Sequence, residues 1–266
     1  MTRRRFFCES LNACGSKAVL DSEVSHHLWR VLRYRQKDMV ELCDGKGRTA
    51  KARILGYQQG RVELDILHVA QERMGRVFTV LLIPWVRSER MDLVVRQAVE
   101  LDVCELWFFE AVRSQYTVKG DQKEKRLWRY QKIARDALCQ CGGAWLPAMR
   151  FEESVKDVLV HLSDMESEGS NELRLLACET EPRETLWALR EQHPVVSRIV
   201  AAVGPEGGWT DQERHAFQTH GFVPVSLGKN VLRFETACTV LLAAVEVLWK
   251  QAFHEQTQCM ARMETP

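Results

Sequence analysis

Two stretches of this 266-residue chain carry residue types whose spacing could support chemistry. The first is Gly204-Pro205-Glu206-Gly207-Gly208-Trp209-Thr210-Asp211-Gln212-Glu213. The second is Leu227-Gly228-Lys229-Asn230-Val231-Leu232-Arg233-Phe234-Glu235-Thr236-Ala237. Each leaves a strongly apolar run, bends on glycine and enters a helix-like run. Glycine turns at strand ends expose backbone amides at one edge of an α/β sheet, where small ligands usually bind. Most turns of this kind are structural only. Two of them in this order, about twenty residues apart, are a much rarer combination. A phosphate cradle is the poorer reading of the first, because no Gly-Lys-Ser/Thr follows to hold phosphate and magnesium.

The elements that position these turns follow from hydrophobic periodicity. Up to about residue 74 the chain has short alternating runs, Met39–Cys43, Ala50–Leu55 and Arg61–Ile66, separated by Gly and Asp. Alternation with period two predicts antiparallel strands with one face buried, together a small barrel. A joint is expected near 71–76. From Phe78 the pattern changes to continuous apolar strands covered on both faces, Phe78–Pro84 and Cys104–Phe109, then Leu173–Cys178, Arg198–Val203 and Phe222–Leu227. Helices are expected between them. Ser88 would cap one whose Met91, Val94, Val95, Ala98 and Leu101 share a face, with Asp102 in the left-handed turn after it. Another covers roughly 123–140, with Leu127, Tyr130, Ile133, Ala134, Ala137 and Leu138 inward. The acidic stretch before Leu173 reads as peripheral. Thr210 and Glu213 form a capping box that opens a helix ending near Gly221. A last helix, 236–253, is apolar almost all round and must be buried, in the core or against a second subunit. Strands alternating with helices predict a parallel α/β sheet.

Composition bounds the partners. A 45% hydrophobic content can fill a full core. The net charge of +1 hides an asymmetry: residues 1–150 hold 27 Lys/Arg against 18 Asp/Glu, and residues 151–266 hold 10 against 18. A basic half suits a phosphate-rich partner, although a merely solvated basic surface explains charge alone equally well. Nine cysteines without CxxC pairs or zinc spacing read as reduced thiols in a cytoplasmic protein that holds no metal. No signal peptide or membrane span is visible, and no internal repeat or low-complexity segment.

The two glycine stretches resemble the ribosomal small-subunit RNA methyltransferase E family, the uracil-N3 branch of the knotted SPOUT methyltransferases. His26-His27-Leu28-Trp29-Arg30-Val31-Leu32-Arg33 and Asp44-Gly45-Lys46-Gly47 carry the resemblance near the N-terminus. Gln97-Ala98-Val99-Glu100-Leu101, Arg113-Ser114 and Gln140-Cys141-Gly142 with Pro147 carry it, more weakly, in the middle. The resemblance covers nearly the whole chain. It implies a PUA-like RNA-binding β-barrel over 1–74, a SPOUT (alpha/beta knot) methyltransferase domain over 75–255 and a tail over 256–266. It also implies a homodimer with the knotted region at its interface, and small-subunit ribosomal RNA, or the assembled small subunit, as partner.

Its implied cofactor is S-adenosyl-L-methionine, held in a slot of bare backbone and apolar walls. Gly204, Pro205, Gly207, Gly208, Leu227, Gly228, Val231, Leu232, Thr236 and Ala237 are the candidates. A third cofactor loop would follow Leu176-Ala177-Cys178-Glu179, a looser match. Methylating uracil N3 requires loss of the imide proton and a cation near the developing anion. Arg233 and Arg113 are the candidate cations, with surface salt bridging as the alternative for each. Glu206 is a candidate proton acceptor, although a glutamate preceding a helix also complements its dipole, and that structural reading carries more weight. His26, His27, Arg30 and Arg33 are the candidate RNA contacts. The chain departs from the family pattern where Glu-Gln-x-x-Arg is replaced by Cys139-Gln140-Cys141-Gly142-Gly143, and where Pro-Arg is replaced by Lys229-Asn230. These losses bear on target and rate. They leave open a second reading, a cofactor-binding RNA-binding protein that assists ribosome assembly with weak or no catalysis.

Overall fold

The computed structural model describes residues 4–11, 13–74, 77–118, 120–165, 171–179 and 184–251. The expected tail lies outside them. The chain divides into two compact units, 1–74 with 131–146 and 75–130 with 147–266.

The first unit is built on five strands, β1 (Arg5–Phe7), β2 (Lys17–Val19), β3 (Met39–Cys43), β4 (Arg48–Gln58) and β5 (Arg61–Gln71), in spatial order β1-β3-β4-β5-β2. Only β1 and β3 run parallel. The alternating runs supply β3, β4 and β5, and their inward members Leu42, Ala52, Ile54, Val62, Leu64 and Ile66 fill the core with Leu11, Leu20 and Leu28. Gln59 and Gly60, both at positive φ, turn β4 into β5 as a two-residue hairpin loop. Between β2 and β3 lie the short helix α1 (Ser22–His26), capped by the Asp21 side chain, and a wider π-helical turn, His27–Val31. The buried Ser25 hydroxyl donates to the Leu20 carbonyl and accepts from the Val62 amide, anchoring α1 to β5.

Residues 131–146 join this unit through backbone that no periodicity could reveal. The Gly47 amide donates to the Ala144 carbonyl, the Leu146 amide to the Gly45 carbonyl, and Arg5 to the Gly143 carbonyl. The turn receiving them is locked by the buried Asp44 carboxylate, which accepts from the amides of Lys46 and Arg48 and from the Arg48 guanidinium.

The second unit is a seven-stranded sheet, parallel throughout. Its elements are β6 (Phe78–Pro84), α2 (Ser88–Glu100), β7 (Glu105–Phe109), α3 (Gly120–Cys141), β8 (Ala148–Phe151), α4 (Val155–Asp164), β9 (Glu172–Ala177), β10 (Glu184–Thr185), α5 (Leu186–Gln192), β11 (Arg198–Ala202), α6 (Asp211–Thr219), β12 (Val223–Ser226) and α7 (Phe234–Val245), the last continuing in a π-helical turn, Glu246–Gln251. Helix α3 contributes its residues after 130 to the first unit. The spatial order is β10-β12-β9-β11-β6-β7-β8. The chain leaving β11 therefore passes β9 before laying down β12, and α7 returns to pack on α2. Together with the PUA-like sheet of the first unit, this is the α/β architecture expected of a SPOUT methyltransferase.

Two expectations change. The acidic stretch before β9 is not peripheral: it contains α4, whose Val158, Leu159 and Leu162 are buried among the central residues Val80, Trp107 and Phe217. Its acidic residues mask a four-position apolar stripe. The cap position of α2 falls at Arg87, whose side chain makes no cap hydrogen bond, and Ser88 is the first helical residue. The left-handed turn at Asp102 (φ 50°) and the Thr210–Glu213 capping box are as expected. Cys8, Cys43, Cys104, Cys139 and Cys238 carry free thiols.

Candidate active-site cleft

In the second unit, β9, β11 and β12 are neighbours, so their C-terminal ends lie side by side at the sheet edge where α/β folds bind ligands. Three loops leave these ends and enclose a cleft of about 180 Å³. Ala177, Cys178 and Glu179 follow β9. Val203, Gly204, Pro205, Glu206 and Gly208 follow β11. Leu227 to Leu232, with Phe234 and Ala237, follow β12.

One buried ring fixes the relation of two of these loops. The Trp209 indole N–H donates to the Ala177 carbonyl at 3.0 Å, tying the β11 loop to the end of β9. The ring stacks on Phe109 (centroids 6.3 Å apart) and meets Phe217 edge-on at 4.9 Å. Arg113 closes the loop from the other side, donating to the carbonyls of Gly207 (3.3 Å) and Trp209 (3.2 Å). At the start of α6, Thr210 accepts from the Glu213 amide while Glu213 accepts from the Thr210 amide, and the second Glu213 oxygen accepts from the Val112 amide at 2.8 Å. This loop is held by at least four side chains before any ligand arrives.

Two glycines are required by conformation. Gly208 has φ +69°, and a Cβ there would run into the Glu179 carboxylate. Gly228 has φ +144°, and the space where its Cβ would stand is open. Side chains rarely adopt either φ, and at Gly228 the missing atom leaves room at the cleft wall.

The structure sorts the expected residues. Gly204, Pro205, Gly208, Leu227, Gly228, Val231, Leu232 and Ala237 line the cleft, as does Glu206. Gly207 and Thr236 do not. Gly207 turns its Cβ direction onto the Arg113 side chain, and Thr236 is exposed on the first turn of α7. Arg233, exposed, stands at the N-cap of α7, immediately after the cleft-lining Leu232. Lys229, Asn230 and Phe234 are lining residues that the glycine pattern does not single out.

Arg90 is the residue that sequence reasoning missed. From α2 it donates to Glu206 Oε1 at 2.9 Å and lies 3.8 Å from Glu235 Oε2. It is 116 positions from Glu206 along the chain, so no local signal marks it. Glu206 Oε2 and Glu235 Oε2 are buried and accept no hydrogen bond among the described residues.

His26, His27, Arg30 and Arg33 all lie on α1 and the π-helical turn of the first unit, or directly after it. His26, Arg30 and Arg33 are exposed, and Arg33 takes a left-handed φ of 61°. His27 is half-buried, with a ring nitrogen 2.9 Å from the Arg4 guanidinium. Beside them Trp29 stacks on Tyr57 at 5.3 Å and carries the Arg35 guanidinium over its ring. Among the described residues no group of His, Cys, Asp and Glu could hold a metal, and no helix is long and apolar enough to cross a membrane.

Two protein families match the chain. The RNA methyltransferase domain family matches residues 75–246, and the RNA methyltransferase PUA domain family matches residues 20–67. The "Ribosomal RNA small subunit methyltransferase E" of Synechocystis is 31% identical over 227 residues, covering 84% of this chain and 70% of the relative. Its namesake in Mycobacterium bovis is 27% identical, covering 93% of both chains. A crystal structure of the Neisseria gonorrhoeae protein of that name, bound to S-adenosyl methionine, superimposes with a TM-score of 0.78 at 30% identity. It covers 92% of this chain and 98% of its own.

Proposed function

Because the chain belongs to the ribosomal RNA small subunit methyltransferase E family, we propose that it binds S-adenosyl-L-methionine in the three-loop cleft and methylates N3 of a uridine in small-subunit ribosomal RNA. The observation that carries this reading is the convergence of three strand-end loops on one cleft lined by Gly204, Gly208 and Gly228. The cleft fits the cofactor. Leu227, Val231, Leu232 and Ala237 offer apolar walls for an adenine, and the glycines, having no side chains, let it approach the backbone closely. When bound, the cofactor supplies an electrophilic methyl group on a sulfonium.

The chain's own residues supply the rest. The loop after β11, clamped by Trp209 and Arg113, holds a fixed shape, so little ordering remains to be done on binding. Arg233 can swing from the α7 N-cap toward a base delivered from outside and stabilise charge on the uracil oxygens. Glu206, at the cleft wall, is the candidate acceptor for the imide proton. Arg113 is committed to two carbonyls, which favours Arg233 as the cation. The exposed basic residues of α1 and its π-helical turn are the RNA grip. Phe234, Cys238, Leu241, Leu242 and Val245 bury one side of α7, while the apolar Val240 and Val247 stay exposed on it and its continuation, which supports a homodimer packed through that helix.

The assembly-factor reading rests on the departures at Cys139 and Gly143. Both positions are occupied structurally within the first unit: the Cys139 thiol lies beside that of the buried Cys43, and the Gly143 carbonyl accepts from Arg5. They are packing positions here, which weakens the case that catalysis has been lost. The decisive experiment is mass spectrometry of small-subunit ribosomal RNA nucleosides from cells with and without the protein. N3-methyluridine that disappears with the gene is the expected result, and an unchanged level rejects the activity.

A further inference from the structure

The Arg90–Glu206–Glu235 cluster is unbalanced. One guanidinium faces two carboxylates, at 2.9 Å and 3.8 Å, and the Glu206 and Glu235 side chains are only 17% and 18% exposed. A half-buried charge without a full partner is costly, and its field is less screened than that of a surface charge. The other charges near the cleft do not settle the imbalance. Glu179 and Lys229 both line it, but both are exposed and opposite in sign. Arg113 spends its donors on the carbonyls of Gly207 and Trp209, and Arg233 is exposed. The cluster as a whole therefore keeps a surplus negative charge, and Glu206 is its member that lines the cleft. The Glu206 Oε2 is buried without any hydrogen-bond partner among the described residues.

Such a group is completed by a cation in the cleft. S-adenosyl-L-methionine carries one at its sulfur, whereas the demethylated thioether product does not. We infer that Glu206, held in place by Arg90, is a specificity-determining residue that reads the charge on sulfur, favouring the sulfonium cofactor over its neutral product. The inference rests on the cofactor reading of the cleft. It gives the cluster a role in turnover: the preference that retains cofactor before transfer is lost once the methyl group has left, so product leaves more readily.

The test is calorimetric and needs no turnover. S-adenosyl-L-methionine, S-adenosylhomocysteine and an analogue with a protonated amine in place of the sulfonium are titrated into the parent protein, Glu206→Gln and Glu235→Gln. The parent should prefer both cations over the thioether. Glu206→Gln should lower that preference by about tenfold, the scale of one partly buried charge contact, while thioether affinity stays at the parent value and reports an intact cleft. Glu235→Gln should shift the preference in the same direction by less. An unchanged preference in Glu206→Gln, or an equal loss for cation and thioether, overturns the inference while leaving the cofactor reading standing. A parent protein that binds none of the three ligands removes both.

Discussion

The cleft of the second unit and the basic face of the first are built in opposite ways. The cleft is lined by glycine-bearing loops, the one after β11 held in shape by Trp209, Arg113 and the Thr210–Glu213 box. The basic face is made of side chains: His26, Arg30 and Arg33 project from a short helix and its π-helical turn with little to hold their tips. A site of glycine-bearing loops suits a small rigid ligand that must approach closely. A set of long cationic side chains suits a phosphate backbone, which needs charge more than shape. The two regions should therefore fail in different observables, and substitutions can break that separation or sharpen it.

The largest effect belongs to the point where the two functions meet. Arg233 follows directly on the cleft-lining Leu232 yet is itself exposed. Arg233→Ala should cut the methyl-transfer rate at saturating cofactor and RNA by roughly 10²–10³, as when one oxyanion-type donor is removed. Cofactor affinity should barely move, because the proposed cofactor contacts lie in the cleft and not on this exposed side chain. Single-turnover kinetics beside a calorimetric titration check both halves, with Arg113→Ala as control. Since Arg113 clamps the loop, its variant should lose cofactor affinity as well as rate. Equal behaviour of the two variants would erase the distinction between them.

On the basic face, Arg30→Ala combined with Arg33→Ala should flatten the salt dependence of RNA binding. Each lost phosphate contact removes roughly 0.7–0.9 from the log–log slope. Over a fourfold change in salt, the affinity of the double variant should then change by about tenfold less than that of the parent. Cofactor binding should stay as in the parent. A slope identical to the parent's would mean that RNA enters elsewhere.

Gly228→Val tests the cleft by itself. Valine at φ +144° is strained, and relief requires the Ser226–Lys229 turn to move. Cofactor affinity should fall at least tenfold, about 1.4 kcal/mol, with the RNA salt slope untouched. Isothermal titration with wild-type affinity would show that the turn tolerates the side chain and that this wall is not used.

The same contrast explains what could be read from the chain. Motifs made of consecutive residues were legible: both glycine loops, the capping box at Thr210 and the apolar strands β6, β7, β9 and β11 are local patterns. The basic face was legible as a charge excess but not as a shape, because the π-helical turn at His27–Val31 and the stacking of Trp29 on Tyr57 depend on partners far along the chain. Arg90 was invisible for the same reason, and so was the attachment of 131–146 to the first unit, made through carbonyls that carry no residue identity and through ion pairs, Lys132–Glu23 and Arg135–Glu9, whose partners lie far apart in the chain. Helix α4 was hidden differently. Its core-facing Val155, Val158, Leu159 and Leu162 are interrupted by Lys156, Asp157 and His161, and the acidic flanks dominate the composition. Gly207 and Thr236 belong to the glycine stretches but do not line the cleft, because consecutive residues of one loop or helix turn point in different directions.

The smallest predicted effect concerns the scaffold behind the cleft. Thr210→Ala removes the hydroxyl that accepts from the Glu213 amide, while the Glu213 carboxylate still reaches the amides of Thr210 and Val112. Half of the capping box survives, so the loss should be about 1 kcal/mol, the usual cost of a threonine N-cap. In a protein of this size that lowers the melting temperature by about 2–4 °C. Trp209 remains stacked and bonded to Ala177, so the β11 loop keeps its shape and cofactor affinity should fall by less than in Gly228→Val. Thermal melts with and without saturating cofactor check this. The stabilisation by cofactor should be nearly the same in parent and variant, since the cap acts on the helix and not on the ligand. A collapse of cofactor binding in Thr210→Ala would show instead that the loop depends on its helix for its shape, and that Trp209 and Arg113 alone do not hold it.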